Sequence, residues 1–139
     1  MMRKIDEIII HCTATPEGRD CSAADIRRWH IEERGFTDIG YHFVIRPDGK
    51  VEEGRKLAAA GAHCLGHNIH SIGIVYVGGC DKAMRPKDTR TAKQRASLSA
   101  LIRRLLTEFP GAAVHGHNEY SSKTCPSFNV KDWIREEGI

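Results

Sequence analysis

What the chain lacks narrows the choices first. No apolar run approaches the ~20 residues needed to cross a bilayer. The densest stretch, Ile8-Ile9-Ile10, is bounded by Glu7 and His11. The first seven residues run basic and then acidic, without the apolar core of a secretion signal. Neither a transmembrane segment nor a signal peptide is therefore expected, and synthesis in the cytoplasm is. Internal repeats, low-complexity tracts and linker-like stretches are missing as well. The cysteines Cys12, Cys21, Cys64, Cys80 and Cys125 are odd in number and lack framework spacing. That argues against a disulfide scaffold and for reduced thiols, most of them small packing residues. A formal net charge of +3 does not demand a polyanionic partner. Lys82, Arg85, Lys87, Arg90, Lys93 and Arg95 form a basic run without interleaved aromatics. Such a run reads as a solvated face, and no nucleic-acid partner is expected.

What is present suits one domain over residues 1–139 with one core, acting as a monomer. Lys4–His11 reads as a strand buried on both faces. Ser22, with Asp25 three positions later, predicts a helix start, and Gly35 its stop. Ile26, Trp29, His30 and Glu33 follow helical spacing between them. Tyr41–Arg46 alternates, which places Tyr41, Phe43 and Ile45 on one face and His42, Val44 and Arg46 on the other. Pro47-Asp48-Gly49 is a turn, and Lys50–Glu53 pairs back across it. Ser71–Val77 is a third apolar strand, and Cys80–Arg90 a polar surface loop. Thr91 and Gln94 form a second capping box. The following helix carries Leu98, Leu101, Ile102, Leu105, Leu106 and Phe109 as one apolar stripe. Ala113–His117 is a short strand and Val130–Glu137 a closing helix. The resulting order, β-α-β-β-β-α-β-α, predicts an α/β fold with a mixed central sheet of about five strands flanked by helices.

Chemistry-bearing residues gather at the ends of these elements. His11 closes the first strand, where open sheets place their sites. His117 and Cys125 lie eight apart near the other end of the chain. Imidazole and thiolate are both zinc ligands, and three protein ligands with an open fourth position mark a catalytic rather than a structural zinc. His115 rivals His117, because residues i and i+2 share a strand face. Amide hydrolysis also needs a donor facing the carbonyl oxygen as charge develops there. Lys123, two residues before Cys125, and Tyr41 are the candidates. By residue type alone they read better as a solvated surface lysine and a half-buried strand aromatic.

The ordered segments His11-Cys12-Thr13-Ala14-Thr15, Gly40-Tyr41-His42-Phe43, Asp48-Gly49, Glu53-Gly54-Arg55, Gly61-Ala62-His63, Asn68, Ser71-Ile72-Gly73-Ile74 and Cys125-Pro126-Ser127-Phe128 resemble a known family. They look like the type-2 N-acetylmuramoyl-L-alanine amidases, in particular the phage lysozyme-type amidases, which are related to the peptidoglycan recognition proteins. The resemblance implies a zinc amidase that cuts between N-acetylmuramic acid and the L-alanine of the stem peptide. It implies one Zn²⁺ on His11, His117 and Cys125, and its His-x7-Cys spacing selects His117 over His115. It implies Tyr41 and Lys123 as catalytic residues, and His63 and Asn68 as residues bordering the substrate groove. Asn118 departs from the pattern, standing where a second histidine occurs in phage relatives. Peptidoglycan would be the substrate, reached by release through a membrane pore. A non-catalytic peptidoglycan-binding module is the alternative.

Overall fold

The computed structural model describes residues 3–139. Its centre is β1 (Glu7–Cys12), buried along its whole length. After it come β2 (Thr15–Pro16), α1 (Ala23–Arg34), β3 (Phe43–Ile45), β4 (Val51–Glu53), β5 (Ser71–Tyr76), β6 (Gly79–Cys80), α2 (Ala92–Glu108), β7 (Ala113–Gly116) and α3 (Val130–Glu137). Five strands form one mixed sheet in the order β4-β3-β5-β1-β7. β1 runs parallel to both β5 and β7, β3 runs parallel to β5, and the β3–β4 hairpin is antiparallel. The α/β architecture with a five-stranded mixed sheet is the one expected. The pairing of β2 with β6 is an addition, because two-residue strands carry no periodicity to read.

Alternation along the strands divides the core in two. Ile8, Ile10 and Cys12 of β1, with Ile72, Ile74 and Tyr76 of β5, pack against Leu98, Leu101, Ile102 and Leu105 of α2 and Trp133 of α3. Val75 of β5, Val44 of β3 and Val77 pack on the other face with Ile26 of α1 and Ile39. Each fully buried isoleucine or leucine contributes ~1.5–3 kcal/mol through its apolar area. By the same alternation Glu7, Ile9 and His11 share the second face.

The helix ends follow their caps. Ser22 and Asp25 make a complete capping box, and Gly35 ends α1 in the left-handed region. Thr91 and Gln94 make the second box. Buried Gln94 also donates from Nε2 to the carbonyls of Ile45 (3.2 Å) and Val77 (3.0 Å), which ties α2 to the ends of two strands. The basic run is largely paired. Arg85 meets Asp81, Lys87 meets Glu17, and Arg90 and Arg95 meet Asp88. Arg90 departs from the solvated reading, since it is buried and stacks 3.4 Å over the Phe128 ring.

Candidate active site

His11 is the fifth residue of β1, in register with Val75, and it is buried. Its place on the strand aims it away from Ile8 and Ile10, at the face on which the loops after β1, β4 and β7 gather.

His117 arrives differently from the expectation. β7 stops at Gly116, and His117 opens a single 3₁₀ turn, His117–Glu119. The Glu119 carboxylate holds the turn by accepting the Gly116 N–H at 2.6 Å. His115 and His117 therefore do not share a face. His115 pairs through Nδ1 with Glu119 at 2.9 Å, whereas the His117 ring sits 4.6 Å from that of His11.

Cys125 comes from the loop before α3. The Tyr76 hydroxyl donates to the carbonyl of Pro126 at 2.6 Å, and Ser127 Oγ donates to that of Gly79 at 2.9 Å. These two bonds anchor the loop over the end of the sheet. Cys125 Sγ accepts the Cys12 N–H at 3.3 Å and lies 3.8 Å from His11 Nδ1. One donor atom each from His11, His117 and Cys125 falls within 4.8 Å of the others. Two imidazoles and a thiol converging this closely fit a zinc ion with a fourth position open.

The other ring nitrogen of His11, Nε2, meets His63 Nδ1 at 2.9 Å. With Nδ1 turned to the ligand cluster, Nε2 carries the proton and donates it to His63. His63 Nε2 then donates to Ser71 Oγ at 3.3 Å. An outer partner of this kind fixes the tautomer and orientation of a ligating histidine. The His63 ring lies on Gly73, where a Cβ would come within 2.6 Å of it, so only glycine leaves it room. Asn68 Oδ1 accepts the N–H groups of His63 (2.9 Å) and Cys64 (3.0 Å). Both residues stand in the cavity wall, and the hydrogen bonds they make to the protein hold that wall in shape.

Tyr41 lies outside the strand expected to begin with it. Gly40 crosses the chain at Ala62, whose N–H donates to the Gly40 carbonyl at 3.0 Å, and a Cβ on Gly40 would collide with the Ala62 carbonyl. The chain bends there, and the alternation starts only at Phe43. Tyr41 therefore does not join Phe43 and Ile45. It packs on the Val44 side, with its ring 5.1 Å from that of His11.

Together these side chains line a cavity of about 430 Å³ that also receives Lys123, Arg34 and Leu65. Arg34 and Leu65 had no signal in the sequence. Arg34 sits in the last turn of α1, where a basic residue ordinarily serves the helix dipole. Ser71 as partner to His63 was equally hidden.

Burial first, then His63 and His117, holds His11 well below the ordinary histidine range. Burial and Lys123 lower His117, and burial chiefly lowers His63 to about 3. The imidazoles are thus neutral near pH 7, the form that binds metal. Burial, then Cys125, pushes the Tyr41 phenol well up, which keeps it a proton-bearing donor.

The parallel strands end at a histidine–cysteine cluster that could hold a metal ion, open to a cavity with a lysine at its rim. The chain belongs to the N-acetylmuramoyl-L-alanine amidase family Amidase_2, whose model matches residues 1–128. It is 42% identical over 128 residues to the endolysin of Escherichia phage T7, covering 92% of this chain and 84% of that protein. It is 33% identical to peptidoglycan-recognition protein SC2 of Drosophila melanogaster, covering 91% of this chain and 71% of that one. Among solved structures, N-acetylmuramoyl-L-alanine amidase LysC from Clostridium intestinale URNW superposes with a TM-score of 0.84 at 27% identity, covering 99% of this chain and 87% of that chain.

Proposed function

We propose that this chain is a zinc-dependent amidase that hydrolyses the bond between N-acetylmuramic acid and L-alanine in peptidoglycan. The reading has it act as a monomeric single domain on the cell wall, which it reaches from the cytoplasm through a membrane pore. The observation that carries the reading is the convergence of His11, His117 and Cys125 on one cavity that also holds Tyr41 and Lys123. Family membership and the endolysin relatives support the substrate.

His11, His117 and Cys125 would hold the ion. Zn²⁺ bound there supplies Lewis acidity and water activation near neutral pH. His63 keeps the His11 tautomer that leaves Nδ1 free to ligate. Lys123 places an ammonium at the cavity rim, where it donates to the scissile carbonyl oxygen as negative charge develops. Tyr41, kept protonated by burial, serves as a hydrogen-bond donor to the reacting groups, and the proton released by the attacking water ends on the departing alanine amine, so that Tyr41 undergoes no net change.

Cys125→Ala tests the reading. The variant is expected to lose both zinc and lysis, measured by metal analysis and by a zymogram on purified wall. Mass identification of the wild-type digest should show free muramoyl lactyl carboxylates and stem peptides beginning with alanine. A metal-free Cys125→Ala protein with full lytic activity would refute the mechanism.

A further inference from the structure

Glu7 stands at the other end of the β1 face that carries His11. Four residues at ~3.3 Å per step separate the two by ~13 Å. Around Glu7 the chain assembles a second histidine cluster from distant segments. His67 Nδ1 lies 2.8 Å from Glu7 Oε1, and His70 Nδ1 lies 3.2 Å from the same oxygen. His67 precedes the 3₁₀ turn Asn68–His70, and His70 closes it. One donor atom from each of Glu7, His67 and His70 falls within 4.8 Å of the others. Asp6 Oδ1 lies 2.7 Å from His70 Nδ1 and is at hand as a fourth donor.

We propose that Glu7, His67 and His70, with Asp6 beside them, form a second metal site for a divalent transition ion of the zinc class. Two imidazoles and a carboxylate make a donor set that zinc accepts. Tetrahedral bonds of ~2.0–2.1 Å place ligand atoms ~3.3 Å apart, close to the spacing of Glu7 with both histidines. The outer contacts of a metal site are also present. Glu7 Oε2 accepts the Tyr120 hydroxyl, and the Tyr120 ring stacks on that of His67 with centroids 3.9 Å apart. His115 Nε2 lies 3.8 Å from Glu7 Oε2 and is itself paired with Glu119. Partners of this kind orient a ligating carboxylate. Burial by itself would raise the Glu7 carboxyl, but hydrogen bonds from Tyr120 and His67 outweigh it and hold it below the usual carboxylate range. The carboxylate is thus ionised and ready to ligate. An entry path exists as well, because the side chains of His67 and His70 are 27% and 37% exposed.

An ion here would join the start of β1 to the Asn68–His70 turn. Asn68 holds the backbone of His63 and Cys64 in the cavity wall, so the second ion would stiffen that wall without entering the reaction.

The test is metal stoichiometry. Protein stripped with chelator is titrated with Zn²⁺, and bound metal is measured by elemental analysis and calorimetry. Wild type should take up a second equivalent beyond the one assigned to His11, His117 and Cys125. His117→Ala/Cys125→Ala should retain one equivalent, and its Co²⁺ derivative should lack a thiolate charge-transfer band. His67→Gln/His70→Gln should lose one equivalent while keeping that band, with circular dichroism checking the fold. The inference is overturned if wild type binds a single equivalent that disappears with Cys125. It is equally overturned if His67→Gln/His70→Gln binds as much Zn²⁺ as wild type. A single equivalent that follows His67 and His70 instead would uphold the second site and overturn the zinc amidase reading.

Discussion

Lys123 and Tyr41 share the cavity but differ in surroundings, and the difference predicts how their variants fail. Lys123 is exposed at the rim, whereas Tyr41 is packed against His11 and His30. Lys123→Ala should keep its zinc and its melting temperature while kcat falls ~10²–10³-fold, the cost typical of removing one oxyanion donor. Dye release from labelled peptidoglycan, read beside zinc content, checks this; lost zinc or an unchanged kcat would reject the donor role. His63→Ala should instead weaken zinc binding ~10–100-fold, as expected for an outer partner of a ligand, and competition with a chromogenic chelator measures that shift. The residue types of the candidate cluster were legible in the sequence, because few side chains bind zinc and His11 ends an apolar run. The contact between His63 and His11 was not, because His63 lies in an irregular segment without a period from which a direction can be read. His115 and His117 misled for a related reason. Alternation places residues only while the strand lasts, and β7 ends between them.

At the scale of elements, the helices were the most legible part of the fold. α1 and α2 announce their starts by side-chain chemistry at two positions three apart, Ser22 with Asp25 and Thr91 with Gln94. The strands were legible in kind and less so at their ends, since twist and close chain crossings decide where pairing stops. Gly40 against Ala62 is one such crossing, and it took Tyr41 off the strand. The two capping boxes also predict unequal costs. Ser22→Ala removes a cap at a helix end and should cost ~1 kcal/mol. Gln94→Ala removes the box and strips one donor each from the carbonyls of Ile45, at the end of β3, and Val77, just past β5. The Ile45 carbonyl still accepts the Val77 N–H at 3.0 Å, but the buried Val77 carbonyl loses its donor at ~1–3 kcal/mol; with ~1 kcal/mol for the lost cap, Gln94→Ala should cost ~2–4 kcal/mol. Urea unfolding of both variants, with the slope unchanged, reads the difference in midpoint; equal midpoints would show that Gln94 acts only as a cap.

For the whole molecule, buried neutral histidines couple folding to pH. His42 Nδ1 accepts the Gly73 N–H at 3.0 Å, so its proton sits on Nε2, which donates to the Ala59 carbonyl at 2.9 Å. His30 Nδ1 accepts the Gly40 N–H at 2.9 Å. Charging either ring at Nδ1 would break a hydrogen bond that holds a strand or a chain crossing. Burial accordingly lowers both, from 6.5 to about 4. Between those values the unfolded chain binds more protons than the folded one, so stability rises with pH through the window. The stabilisation is complete above about 6.5 and is lost as the pH falls toward about 4. Acid also protonates the imidazoles that would bind metal, so the two losses coincide in the loaded protein. Chelated protein isolates the folding part. Its urea midpoint should drop steadily across this window and keep falling below it, where His63, at about 3, and the depressed carboxylates of Glu7 and Asp88 take up protons. His42→Gln can keep an acceptor for Gly73 and a donor for Ala59 but cannot titrate. It should be less stable than wild type at pH 7 and show a shallower decline toward pH 4. A decline as steep as that of wild type would assign the acid sensitivity to groups other than His42.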